Sequence, residues 1–262
     1  MNITVCIKQV PGTAEVEIDE KTGVLKRNPI DAKMNPYDLY AIETAVRLKE
    51  EKNTTVKVIT MGPPYAKAII KEAYMMGADE GCLLTDRKFA GADVLATAYA
   101  LSQGITRIGD FDLIICGKMT TDGDTAQVGP EIAEYLQIPH VSNVRRIHEI
   151  NEKSIIVEMD MAESVEIQEV QLPCLITVEK DIYQPRLPSF KLKLKTANRH
   201  VQIITFKDLN DKNVMHYGLN GSPTQVLRIF PPEPNTTSEH WEGNGEELGE
   251  KLAEKLKELK FV

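Results

Sequence analysis

The chain has 262 residues, 42% of them hydrophobic, and a formal net charge of −8. That is apolar material for one substantial core with an appendage, which excludes a disordered chain, and the negative balance argues against a general nucleic-acid binder. No apolar run is long enough to insert into a membrane, and MNITVCIKQVPG lacks a signal-peptide pattern, so a cytoplasmic protein is expected.

The chain opens with a buried-type strand from Ile3 to Lys8, ended by Val10-Pro11-Gly12. Glu15 to Ile30 alternates apolar and polar residues around Lys21-Thr22-Gly23, which predicts a hairpin excursion. Asn35 is then a good N-cap and Pro36 a good first helical residue for a helix with a stripe of Leu39, Ile42, Ala45, Val46 and Leu48. Further strands are expected at Val56–Met61, Cys82–Thr85 and Leu113–Cys116. Helices are expected at Tyr65–Met76, closed by Gly77, and at Asp93–Gln103. This alternation predicts a parallel, doubly wound α/β sheet through about residue 145.

The stretch DFDLIICGKMTTDGDTAQVGPEIAEYLQI reads as strand, loop and helix. Its loop lies at the carboxyl end of a parallel strand, where open α/β sheets bind ligands, and the following helix start favours a phosphate. Gly123 and Gly129 allow close backbone approach, Thr125 brings a hydroxyl and Gln127 an amide, and Pro130 suits the first turn. Asp122 and Asp124 would repel a bare phosphate and fit loop bracing, capping or sugar hydroxyls. An acidic surface loop with ordinary caps fits the same residue types. Asn35 and Asp38 either face the same ligand or only cap their helix, and spacing leaves both open.

Alternating segments at Ser154–Met159 and Ser164–Val170 predict an antiparallel hairpin, and Pro173–Val178 a strand returning to the main sheet. The core is expected to end at Tyr183, giving a nucleotide-binding domain over 1–183 and an arm over 184–262. Within the arm, Gln184 to His200 carries Lys191, Lys193, Lys195 and Arg199 against no acid. The last helix aligns Leu248, Leu252, Leu256 and Leu259, a stripe that implies docking onto another surface.

There is no GxGxxG after the first strand, no GxxxxGK[ST], no GxSxG and no HExxH. The five histidines are dispersed, and Cys6, Cys82, Cys116 and Cys174 stand singly as core thiols do, so neither a metal site nor a self-contained hydrolytic site is expected.

The opening VCIKQVP, the MNPYDLYAIETAVRLKE helix start, VITMGPP, MGAD, GKMTTDGDTAQVGP, LPCLIT and DIYQPRLPSF occur in an order that resembles the beta subunits of electron transfer flavoproteins, the family that includes FixA. The resemblance covers nearly the whole chain and implies a Rossmann-like, adenine-nucleotide-binding domain that works as a heterodimer with an alpha subunit. It implies that Cys6, the turn Asn35, Pro36, Tyr37 and Asp38, Met61, and the loop Gly117, Lys118, Met119, Thr120, Thr121, Asp122, Gly123, Asp124, Thr125, Ala126, Gln127 and Val128 line the cofactor site.

The loop form is similar to that of a flavin-bifurcating subset, in which this subunit holds FAD and NADH is the substrate. Electrons there go to ferredoxin or flavodoxin and, through the alpha-subunit FAD, to an acyl-CoA dehydrogenase-type flavoenzyme. Ordinary members hold a structural AMP and act as electron shuttles, and that alternative stays open. The resemblance also implies that the segment with Leu187, Pro188, Lys191 and Lys193 recognises the dehydrogenase, whereas composition alone leaves solvated lysines as a reading. The chain is redox-active, on this view, only with its alpha subunit.

Overall fold

Each apolar run of the first half becomes a parallel strand, because a strand covered by helices on both faces must be apolar on both. A computed structural model describes residues 1–12, 32–227 and 238–262; the excursion expected at Glu15–Ile30 lies outside them. The first half runs β1 (Asn2–Cys6), β2 (Gln9–Pro11), β3 (Ala32–Met34), α1 (Pro36–Lys52), β4 (Thr55–Met61), α2 (Lys67–Met76), β5 (Glu80–Leu84), α3 (Val94–Ile108), β6 (Leu113–Gly117) and α4 (Val128–Leu136). After it come β7 (His140–Ile150), β8 (Ser154–Asp160), β9 (Val165–Gln171), β10 (Cys174–Val178), α5 (Phe190–Lys195), β11 (Gln202–Ile204) and α6 (Gly245–Glu258).

The main sheet has nine strands in the order β11-β5-β4-β1-β6-β10-β7-β8-β9. Strands from β11 to β7 pair in parallel, while β7/β8 and β8/β9 are antiparallel. β2 and β3 form a separate antiparallel pair. Residues of alternate parity face opposite sides. Ile3, Val5, Val58, Ile115 and Ile176 pack under α1 and α2; Ile59, Ile114 and Leu175 pack under α3 and α4. Each fully buried aliphatic side chain of this kind contributes about 2 kcal/mol.

Three elements extend or correct the sequence expectations. β7 is a long strand between the expected sheet and the expected hairpin, and it carries the hairpin on its outer edge. In the basic segment, Ser189 accepts a hydrogen bond from the Leu192 N–H and starts the short helix α5. The core does not end at Tyr183. β11 joins the sheet beside β5, and Phe206, Leu209 and Tyr217 are buried in the cluster shared with α3, so the first compact unit is Met1–Leu227. The second unit, Arg228–Val262, contains the expected amphipathic helix, capped by Asn244 and without a buried residue.

Candidate functional site

β1 sits between β4 and β6. The chain leaves β1 through α1 toward β4 on one face, and leaves β6 through α4 on the other. Adjacent strands whose connections depart to opposite faces form a topological switch point, where α/β sheets open a ligand crevice at the carboxyl ends. Cys6, Met61 and the 117–128 loop all lie at that edge.

The crevice floor is polar, buried and fully hydrogen-bonded. Asn35 occupies the N-cap position of α1, yet its side chain makes no capping bond. It is fully buried, and its amide donates to Asp38 Oδ1 (2.9 Å) and to the Met119 carbonyl (2.9 Å) while its oxygen accepts from the Thr121 N–H (3.2 Å). Asp38 Oδ2 accepts from the Lys8 N–H at 2.7 Å. Asn35 and Asp38 are thus buried pins that fasten the phosphate-type loop to α1 and to the end of β1. Pro36 and Tyr37 between them are half-buried.

Packing fixes the same junction. A Cβ on Gly117 would lie 2.6 Å from Asp38 Oδ1 and 2.7 Å from Tyr37 Cβ, so only glycine lets β6 approach the start of α1 this closely. Gly129 is likewise closed, but by Thr177 Cγ2 at 2.7 Å, so its role is contact between α4 and β10 and not room for a ligand. Gly123 is different. A Cβ there meets nothing nearer than Thr120 Oγ1 at 3.7 Å, so its free side faces open space.

Lys8 was not singled out from the sequence. Its Nζ lies 2.8 Å from Asp122 Oδ1 and 3.5 Å from Thr120 Oγ1, bridging the end of β1 to the loop. The signal was a cation placed directly at the carboxyl end of the first strand. Burial opposes ionisation of Asp122, but its hydrogen bond and ion pair with Lys8 hold the carboxyl below its ordinary value. Asp122 is therefore a brace. Burial dominates at Asp38, and pushes its carboxyl up to about 7 despite the bonds from Asn35 and Lys8. Lys118 is tied off too, its N–H to the Val178 carbonyl and its ammonium to Glu179 at the end of β10.

What stays unpaired is the tip. Residues 121–127 are exposed, and Asp124 (φ 49°) and Ala126 (φ 55°) are left-handed. Among the described residues, the N–H groups of Thr125, Ala126 and Gln127 donate to no protein acceptor. A turn containing left-handed residues just before a helix start concentrates N–H donors of the kind that take an anion. Cys6 and Cys116, paired in register across β1 and β6, are buried below this mouth, and the Cys6 contact together with burial pushes the Cys116 thiol well up. The Cys116 thiol is therefore a poor nucleophile.

Leu187, Pro188, Lys191 and Lys193 are not part of the loop site. They follow an Arg186 that binds α1, along a segment whose Ser189 N–H donates to the Met75 carbonyl of α2. No group of three or more metal-ligating side chains occurs among the described residues, and no helix there is long and apolar enough to cross a membrane.

The model of the electron transfer flavoprotein domain matches residues 22–209. A relative named electron transfer flavoprotein subunit beta, from Thermoanaerobacterium thermosaccharolyticum, is 46% identical over 98% of both chains. Subunit CarD of the caffeyl-CoA reductase-Etf complex from Acetobacterium woodii is 42% identical over the whole of both. Protein FixA of Azorhizobium caulinodans is 40% identical over 88% of this chain and 85% of its own. The chain therefore belongs to the family of electron transfer flavoprotein beta subunits and FixA proteins, whose work is electron transfer.

Proposed function

We propose that this chain is the flavin-binding beta half of an electron-bifurcating electron transfer flavoprotein, acting with an alpha subunit and holding FAD at the switch-point crevice. The observation that carries this is the loop tip, whose unpaired N–H groups at Thr125–Gln127 and open flank at Gly123 stand on a floor where every charge is already tied. The fit to a dinucleotide is chemical. A pyrophosphate needs several donors and little opposing charge: Lys8 has already neutralised Asp122, and the exposed Asp124 carboxylate suits sugar hydroxyls. The relative from a caffeyl-CoA reductase-Etf complex, matched over its full length, supports the same choice.

Bound there, the flavin would supply the redox chemistry, taking a hydride from NADH and passing electrons singly, one to ferredoxin or flavodoxin and one through the alpha-subunit FAD to an acyl-CoA dehydrogenase-type flavoenzyme. This chain's residues bind and orient. Thr125, Ala126, Gln127 and the start of α4 receive the phosphates. Asn35 and Asp38 hold the loop rigid from beneath, and Gly123 leaves space for the second half of the dinucleotide. Leu187, with Pro188, Lys191 and Lys193 beside it, presents a surface to the dehydrogenase.

The test is the cofactor content of the purified heterodimer. About two FAD per heterodimer, both reducible by NADH, is the expected result. One FAD together with one AMP would replace this reading by the shuttle with a structural nucleotide.

A further inference from the structure

Leu187 is 87% exposed on a segment that is fastened on both sides. On one side, Glu43 of α1 accepts three bonds from Arg186, from its backbone N–H (3.1 Å), Nε (2.8 Å) and Nη2 (3.2 Å), and a fourth from Arg47 Nε (2.8 Å). Arg186 also reaches Glu50 with Nη1 at 2.6 Å and Nη2 at 3.1 Å. On the other side, Ser189 is bound to α2 and caps α5. Glu43 is only 2% exposed, and although its burial opposes charge, the bonds from Arg186 and Arg47 hold its carboxyl below the ordinary value.

An ion pair with one partner buried is a poor way to gain stability, because desolvation of that partner offsets much of the attraction. Here it fixes the backbone N–H and the side chain of one residue, immediately before an exposed leucine. That leucine stands at the rim of a cleft of about 350 Å³, which it borders together with Pro36, Leu39, Tyr40, Pro185 and Arg186. An unrestrained Leu187 would gain by folding into it.

We propose that the Glu43–Arg186 clamp is a positioning device, holding Leu187 at the rim of the cleft and out of its interior as a preformed apolar anchor for the partner flavoenzyme. The proposal rests on the reading of Leu187 as that anchor. Preorganising an anchor raises affinity by removing the ordering cost at the moment of binding.

The test uses a nitroxide attached to Leu187→Cys of this chain, whose four native thiols are buried, before assembly with the alpha subunit into the heterodimer. Adding Arg186→Gln should shorten the label's rotational correlation time roughly threefold, and Glu43→Gln should act in the same direction should the arginine variant fail to assemble. An unchanged line shape in the variant that assembles overturns the clamp.

Function is read with a purified short-chain acyl-CoA dehydrogenase as acceptor. Arg186→Gln should raise the KM for the dehydrogenase roughly tenfold with kcat within about twofold, and should add less than about twofold in a Leu187→Ala background. An equal effect in both backgrounds would mean that Arg186 acts on the partner independently of Leu187, which also overturns the proposal. If Leu187→Ala leaves transfer untouched, the anchor reading fails, while label mobility still judges the clamp.

Discussion

The 117–128 loop and the 183–195 segment are both fastened to α1, and they are built in opposite senses. At the amino end of α1, Asn35 and Asp38 bind the loop from beneath, and what remains exposed is polar backbone, free to receive. Along the next turns of the same helix, Glu43 and Glu50 bind Arg186, and what remains exposed is apolar: Leu187, then Phe190 at 72% and Leu194 at 66%. One region spends buried polar groups to keep donors unsatisfied, the other to keep a hydrophobe in water. Neither exposed set helps the isolated chain, and both make sense when something binds.

The contrast is sharpest at the floor of the loop. Burial raises Asp38 from 3.8 to about 7, so between these values the folded state keeps a proton that the unfolded chain has lost. The contribution of this group to stability should therefore be level below about pH 4 and fall as the pH rises toward 7, by at most about 4 kcal/mol. Asp38→Asn should remove that slope, which urea unfolding at pH 4.5 and 7.5 would register; parallel losses in both proteins would show that the floor does not titrate. Next in size is Gly117→Ala. Its methyl would collide with Asp38 and the Tyr37 side chain, so a loss of about 2–3 kcal/mol in the same assay is expected. Gly123→Glu should reverse the pattern. With open space around that position, the fold should change little, while added charge and bulk lower bound nucleotide roughly tenfold, read as nucleotide per heterodimer. Full retention would remove the loop tip from the site.

Most of this was legible because apolar runs, caps and glycines carry their signal locally. The strands β1, β4, β5 and β6 and the loop between β6 and α4 follow from period and punctuation, whereas the short β2 and β3 do not. β7 escaped because its alternation is broken twice by register shifts, near Val144–Arg146 and Ile147–Glu149, and by a left-handed Asn143. β11 is three residues long and is held by its neighbour β5 more than by its own composition. In α5 the alternation Phe-Lys-Leu-Lys-Leu-Lys has no helical period, and the Ser189 cap decides the outcome. The pins were visible as residue types but not as roles. That Asn35 reaches across to residues 119 and 121, and that Lys8 closes on Asp122, depends on contacts more than 80 residues apart.

The smallest expected effect lies on the presenting side. Lys191 and Lys193 are exposed on α5, next to the apolar anchor, in a segment without acids of its own. If the anchor supplies affinity and the lysines only guide encounter, then reversing both to Glu should slow association with a dehydrogenase several-fold at low salt, on the order of 1 kcal/mol, and leave dissociation almost unchanged. The deficit should shrink as ionic strength rises from about 0.01 M to 0.15 M, since the screening length falls from about 30 to 8 Å over that range. Stopped-flow reduction of the dehydrogenase across a salt series measures both quantities. A salt-independent loss, appearing in dissociation, would mean that the lysines are buried in the contact. The presenting region would then be a charged surface with an incidental leucine, and its opposition to the loop would no longer hold.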